Sequence, residues 1–249
     1  MENRTDKNSY TILFAIGMVI IVGSLLAFAA ASLQDRISEN KRIEKQQNIL
    51  YAMGVNDNEE GSMAFVSKDV NAEEFTKYIT KQMVIQDGNV TEDENAYLID
   101  VKKEQTSAKA GNSRRLPLFV GEKDGQTFYV APIRGKGLWD AVWGFIAMDA
   151  NMVVQGAFFD HKGETAGLGA NINKRFFMDD FTGEQLFDTS GNFKGITISK
   201  SNADPLNKDK TDNEIDAIAG ATITGDGISA MLRSELKLYV PYFKTLKNN

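Results

Sequence analysis

The chain has no cysteine and a single histidine, His161, among its 249 residues. Without thiols, disulfides, zinc–thiolate sites and cysteine-held iron–sulfur clusters are excluded. One imidazole leaves little for a histidine-based metal site or a serine–histidine triad, so no metal ligand and no catalytic residue is assigned. Positive charge is also scarce. Lys and Arg number 28 against 34 Asp and Glu, a net charge of -6, whereas a nucleic-acid binder should show a basic face. Any redox chemistry must therefore come from a borrowed organic cofactor. Neither a repeat nor a low-complexity tract is present, and the length suits one good-sized domain with accessories.

Charge is missing altogether between Asn8 and Gln34, and Ile12 to Leu33 is dominated by Ile, Leu, Val, Phe, Ala and Gly. At about 1.5 Å per helical residue this run crosses a hydrocarbon core of roughly 30 Å. A cleaved signal peptide is the rival, with Arg4 and Lys7 as a basic start and Ala27-Phe28-Ala29 as a cleavage site. The apolar run continues through that cut, so a retained anchor is expected. Gly23, Ala27 and Ala31 put small side chains on one stripe, which permits close approach of another helix. Flanking charge gives a weak vote for a cytoplasmic C-side, from Arg36, Lys41, Arg42 and Lys45 against Arg4 and Lys7.

The remainder reads as α+β: a single N-terminal transmembrane helix, then one domain with an antiparallel sheet and flanking helices. The divisions are residues 1–9 as a short tail, 10–33 as the membrane helix, 34–70 as juxtamembrane helix and linker, and 71–249 as the domain. A polar helix over 35–53 should stop at Gly54. Residues 55–70 and 87–95 read as loops. Asn71 to Glu74 looks like a capping box opening a helix that turns Phe75, Tyr78, Ile79 and Met83 inward. Strands are expected at 97–101, 116–120, 127–131, 142–148, 152–159 and 196–199. The end should be one amphipathic helix, with Ile228, Met231, Leu232, Leu236, Tyr239, Val240 and Phe243 on one face.

Two short segments carry chemistry. Asp216-Ala-Ile-Ala-Gly220-Ala221-Thr222-Ile-Thr224 reads as a strand end turning through Gly220 into a helix capped by Thr224 or Asp226. A helix N-terminus offers unpaired N–H groups and partial positive charge, which suit a phosphate. In Gly163-Glu164-Thr165-Ala166-Gly167-Leu168-Gly169, three glycines let backbone lie close to a flat ring. Leu168 can then cover one face, while Glu164 and Thr165 reach a polar edge. Taken alone, each segment is also compatible with an ordinary cap or turn.

Together they resemble the FMN-binding domain family of redox-driven ion pumps. In that family Asp-x-x-(Ser/Thr/Ala)-Gly-Ala-Thr is the flavinylation motif, matched here by Asp216, Ala219, Gly220, Ala221 and Thr222. The resemblance implies FMN held covalently, as a phosphoester of Thr222, transferred from FAD by a dedicated flavin transferase. Thr224 is the close rival hydroxyl. The glycine loop is similar to the family's Glu-Thr-Pro-Gly-Leu-Gly, with Ala166 where proline is usual, and it implies ring contacts from Glu164, Thr165, Gly167, Leu168 and Gly169.

Gly135-Lys-Gly-Leu-Trp139-Asp is similar to a segment of the C-subunit family of sodium-translocating NADH:quinone reductases. Gln46 to Leu50 resembles the same family. There Trp139 would help wall the flavin site, or simply pack in the core, and Lys200 would lie near the flavin, or on the surface. His161 reads as a solvated turn residue. The resemblance implies an electron-carrying subunit of a bacterial inner-membrane complex, with its domain on the extracytoplasmic side. Its partners would be the other subunits and, during maturation, the flavin transferase. Three alternatives remain at this point: the G subunit of an Rnf-type ferredoxin:NAD oxidoreductase, a non-catalytic membrane-anchored flavin-binding or scaffold module, and a free-standing electron carrier.

Overall fold

The computed structural model describes residues 8–59, 62–201 and 204–246. By its internal contacts the chain divides into two units, residues 1–42 and 43–249. Residues 1–7 of the expected tail, with the basic start at Arg4 and Lys7, lie outside the described residues, whereas Asn8 and Ser9 begin the first helix.

In the first unit, helix α1 (Asn8–Ala52) begins in the apolar run. Its most apolar 18-residue window has a mean hydropathy of 2.7 and no buried residue. A helix apolar on every side has no polar face for water, and it is long enough to cross a membrane. The expected break between the span and a second helix is absent, for residues 34–42 contain neither Gly nor Pro to interrupt the backbone ladder.

The second unit begins before the expected boundary at 71. Gln46, Asn48, Ile49, Leu50, Tyr51, Ala52 and Met53 are buried, and Val55 and Val66 join the same core. The segment expected to be linker is therefore partly domain core, because its apolar side chains find partners that local periodicity cannot reveal. Asn71 does not cap α2 (Asn71–Tyr78); its side-chain amide donates to Gln46 Oε1 at 2.8 Å.

Ile79 and Met83, expected to face inward from this helix, lie instead on strand β1 (Ile79–Gln86). The run Met83-Val84-Ile85 is buried between β2 (Asn89–Glu92) on one side and β3 (Leu116–Lys123) on the other. Asp87 and Gly88 join β1 to β2 with φ of 51° and 79°. Two consecutive positive φ values are what a type I′ hairpin needs, so the expected loop at 87–95 is partly a strand. Asp124-Gly125 repeats the device, at φ 52° and 76°, between β3 and β4 (Gln126–Lys136). With β5 (Ala141–Met148) and β6 (Val154–His161) these make a six-stranded antiparallel sheet in the order β2-β1-β3-β4-β5-β6.

The strand expected at 97–101 does not form. Ala96–Leu98 is a 3-10 turn, and α3 (Val101–Lys109) follows. Asp100 caps α3 by accepting from the backbone N–H of Lys102 at 2.9 Å and Lys103 at 3.2 Å, an N-cap signal. After α4 (Arg175–Asp179), the expected strand at 196–199 is β7 (Thr197–Ile198), parallel to β8 (Glu214–Ile215).

The C-terminal helix is broken into α5 (Thr222–Leu236), a 3-10 turn at Lys237–Tyr239, and α6 (Val240–Leu246). Pro241 lacks an N–H and its ring crowds the carbonyl four residues earlier, so a continuous helix cannot pass Lys237. The expected apolar face survives the break: Ile228, Met231, Leu232, Leu236, Tyr239, Val240 and Phe243 are all buried. Backbone touches backbone where α5 crosses β4, with Gly227 lying against the Lys136 carbonyl.

Glu184 is a fully buried acid in this unit. Its Oε1 accepts from Asn207 at 3.0 Å and pairs with Lys210 at 3.3 Å, while Oε2 has no hydrogen-bond partner among the described residues. Burial, opposed by the Lys210 charge, raises its pKa from 4.5 to about 7. The folded state then holds a proton that the unfolded chain releases above pH 4.5, so this group's contribution falls as pH rises from 4.5 to about 7. Thermal melts of wild type and Glu184→Gln, from about pH 5 to about pH 8, should diverge upward in favour of the variant. Parallel curves would count against that titration.

Candidate functional site

Four segments converge at one end of α5: the turn after β4 at 137–140, the loop after β6 at 163–169, the motif at 216–222, and β7 with the residues after it. Gly220 has a φ of 70°, a conformation that side chains disfavour. A Cβ placed there would lie 2.7 Å from Leu168 Cδ2. The bare backbone at Gly220 thus lets the glycine loop sit directly against the 216–222 segment, although more than fifty residues separate Leu168 from Gly220 in sequence.

Thr222 is the first residue of α5 and is exposed. The helix is not capped by Thr224 or Asp226, as the sequence suggested. Ala221 holds the cap position and no side chain caps the first N–H groups. An uncapped N-terminus on a 15-residue helix, with an exposed hydroxyl at its first position, fits a phosphate ester. Thr224, the rival hydroxyl, is only 1% exposed and donates from Oγ1 to Glu164 Oε2 at 2.6 Å.

Glu164 differs from the sequence reading in the same way. Its carboxylate is buried and takes up hydrogen bonds inside the protein, from Thr224 and from the Trp139 backbone N–H at 3.0 Å. Burial works against its ionisation, but hydrogen bonds from Thr224 and from the amides of Trp139, Asp140 and Leu138 outweigh that and hold its pKa below the usual range. His161 also has an unforeseen part: its Nδ1 accepts from the Glu164 N–H at 3.2 Å, closing the loop.

Around this buried carboxylate the surface is apolar. Trp139 is 66% exposed, so core packing does not explain it, and its indole N–H donates to Thr165 Oγ1 at 3.2 Å. Leu138, Leu168 and Ile223 are exposed as well. Thr165 also organises its own turn, its carbonyl accepting from the N–H groups of Leu168 and Ala170 at 3.1 Å. Gly167 has a φ of 78°, and a Cβ there would meet nothing. Lys200 pairs with Asp226 in the first turns of α5 at 3.2 Å, both side chains being largely exposed. Asp216 has its pKa raised by partial burial and by the nearby Asp180 and Asp204 carboxylates, with Lys210 opposing. The Asp216 N–H donates to Asp180 Oδ2 at 3.3 Å. An exposed threonine beside open glycine backbone, an indole and two leucines is a surface on which a flat, phosphate-tailed molecule can lie.

Residues 137–237 match the family model of the FMN-binding domain, a segment that spans the convergent loops and α5. The C subunit of the Na+-translocating NADH-quinone reductase of Pseudomonas aeruginosa is 27% identical, over 91% of this chain and 90% of its own length. The C subunit of the Haemophilus ducreyi reductase is 29% identical, over 90% and 87% respectively. Among solved structures, the C subunit of the Na+-translocating NADH-quinone reductase of Parabacteroides distasonis superimposes with a TM-score of 0.71. It is 32% identical, over 85% of this chain and 96% of that one. The chain belongs to the C-subunit family of Na+-translocating NADH-quinone reductases. NqrC of Shewanella oneidensis, at 24% identity and a TM-score of 0.68, shares the fold. Membership of the C-subunit family is the ground for preferring it to the Rnf-type G subunit.

Proposed function

We propose that this chain relays electrons within a Na+-translocating NADH-quinone reductase through an FMN esterified to Thr222. The observation that carries the reading is Thr222 itself: an exposed hydroxyl at the uncapped start of α5, beside Leu168 and the open glycine loop. In the attachment step the Thr222 Oγ–phosphorus bond forms and the pyrophosphate bond of FAD breaks. AMP leaves with the electron pair, and the hydroxyl proton passes to a base of the flavin transferase. Once bound, FMN supplies reversible one-electron steps. Thr222 is then a tether, and no residue here acts as an acid or base toward an organic substrate. Asp216, Gly220 and Ala221 shape the turn before Thr222, while Thr165, Gly167, Leu168, Trp139 and Lys200 would hold the ring. The partners are the other subunits of the complex and, transiently, the transferase. Intact mass and peptide mapping test this reading: protein made with the transferase should carry one FMN less one water, on the Thr222 peptide. An unmodified mass would overturn it.

Tethering and tuning should separate. Thr165 and Leu168 belong to the loop against the ring, and redox states of a flavin differ in charge, so nearby hydrogen bonds and dielectric weigh on them unequally. Thr165→Ala and Leu168→Ala are expected to keep near-full covalent FMN but shift its midpoint potential, measured by spectroelectrochemical titration. A titration unchanged in both would move the ring elsewhere.

The apolar span anchors the chain in the membrane, and the domain is proposed to lie outside the cytoplasm, since a long domain can translocate against a weak local charge bias. Detergent, not high salt, should release the protein. A reporter fused after Asn249 should be active only on the extracytoplasmic side; cytoplasmic activity would reverse the topology.

A further inference from the structure

Glu164 joins three segments that are far apart in sequence. One carboxylate oxygen accepts from the Trp139 backbone N–H at 3.0 Å, with the amides of Leu138 and Asp140 also directed at the group. The other accepts from Thr224 Oγ1 at 2.6 Å. The carboxylate fills a slot that glycine alone leaves open. A Cβ on Gly137 would lie 2.6 Å from Oε1, and one on Gly169 would lie 2.7 Å from Oε2 and 2.6 Å from Thr224 Oγ1. Glycines 137 and 169 are therefore shaped around this group, not around an external ligand.

The consequence falls on the first turn of α5. No side chain caps that turn. The Thr224–Glu164 hydrogen bond ties it to the glycine loop and the 137–140 turn, beside the packing of Gly225 on Ile198. Thr222 stands two residues before Thr224 in the same turn, so the hydroxyl's direction follows the position of Thr224. We infer that Glu164 is the positioning residue of the attachment site: it fixes the start of α5 so that the Thr222 hydroxyl is presented in the orientation phosphoryl transfer needs. This rests on the reading of Thr222 as the flavin acceptor, and it makes Glu164 act through Thr224 instead of touching the cofactor.

The test uses the full-length apoprotein in detergent, a flavin transferase and FAD. The initial rate of covalent labelling is measured per folded molecule, the folded fraction coming from near-ultraviolet circular dichroism. Rates are resolved into kcat and KM for the apoprotein. Amide hydrogen exchange at residues 222–226 is followed in parallel. Glu164→Ala and Thr224→Val should each lower kcat by roughly ten- to a hundredfold with little change in KM, because misplacing a reacting group costs that much. Exchange in the first turn of α5 should rise in both. Glu164→Gln keeps an acceptor oxygen and should restore part of the rate. If Glu164→Ala does not fold, Thr224→Val carries the test, since it preserves side-chain volume and removes the hydroxyl while Glu164 keeps its backbone N–H donor. Wild-type kcat per folded molecule in Thr224→Val, or a change confined to KM, would overturn the inference while leaving Thr222 as acceptor. Wild-type label mapped to another residue would overturn the acceptor reading itself, and this inference with it.

Discussion

Thr222→Ala is expected to give a folded, colourless protein. Thr222 is exposed at the first position of α5 and caps nothing, so its loss removes neither a buried contact nor a helix cap. Surface changes of this kind fall within about 0.5 kcal/mol. The other hydroxyl in that turn, Thr224, is buried and bound to Glu164, so it cannot take the ester in the native fold. The effect should therefore be all or none: a wild-type melting curve, no flavin fluorescence in the denatured band, and no added mass after coexpression with the transferase. Quinone reduction by the assembled complex should be lost with it. A covalent flavin retained by the variant would place the ester on another residue.

Gly227→Ala should act differently, damaging the fold without replacing any residue of the proposed cofactor site. A Cβ at residue 227 would lie 2.2 Å from the Lys136 carbonyl oxygen and 3.3 Å from the Gly137 Cα. Both are backbone, so no side chain can swing away. Either α5 lifts from β4 or β4 bends, and α5 carries Ile228, Met231, Leu232 and Leu236 into the core. Overpacking of a rigid contact costs about 1–3 kcal/mol and occasionally more. We place this variant at about 3 kcal/mol, because the obstruction is main chain on main chain. Chemical denaturation should show a lowered midpoint at unchanged slope. A midpoint within error of wild type would mean that α5 does not rest on β4 as closely as described.

Much of this was available from the residues alone. Twenty-seven positions from Asn8 to Gln34 without a charge determine a segment that cannot be solvated cheaply. The Asp-Gly pairs at 87–88 and 124–125 are hairpin signals, although the first is easily passed over as a loop. Asp100 before a run of good helix formers announces α3, again overlooked when Tyr97 to Val101 is weighed only for strand character. The proposed attachment motif can be picked out in the sequence because its features are local: a hydroxyl, a glycine that can take a positive φ and a helix start within a few residues.

Other features depended on partners distant in the chain. Ile79 to Ile85 became a strand because β2 and β3 pair with it on both sides, and residues 46–53 became core through side chains that local periodicity cannot supply. Glu164 was read as facing a ligand, yet its hydrogen-bond partner Thr224 lies 60 residues away. A buried carboxylate must be satisfied wherever the fold provides donors, and that provision exists only once α5 has docked against β4 and brought Thr224 and the 137–140 turn to it.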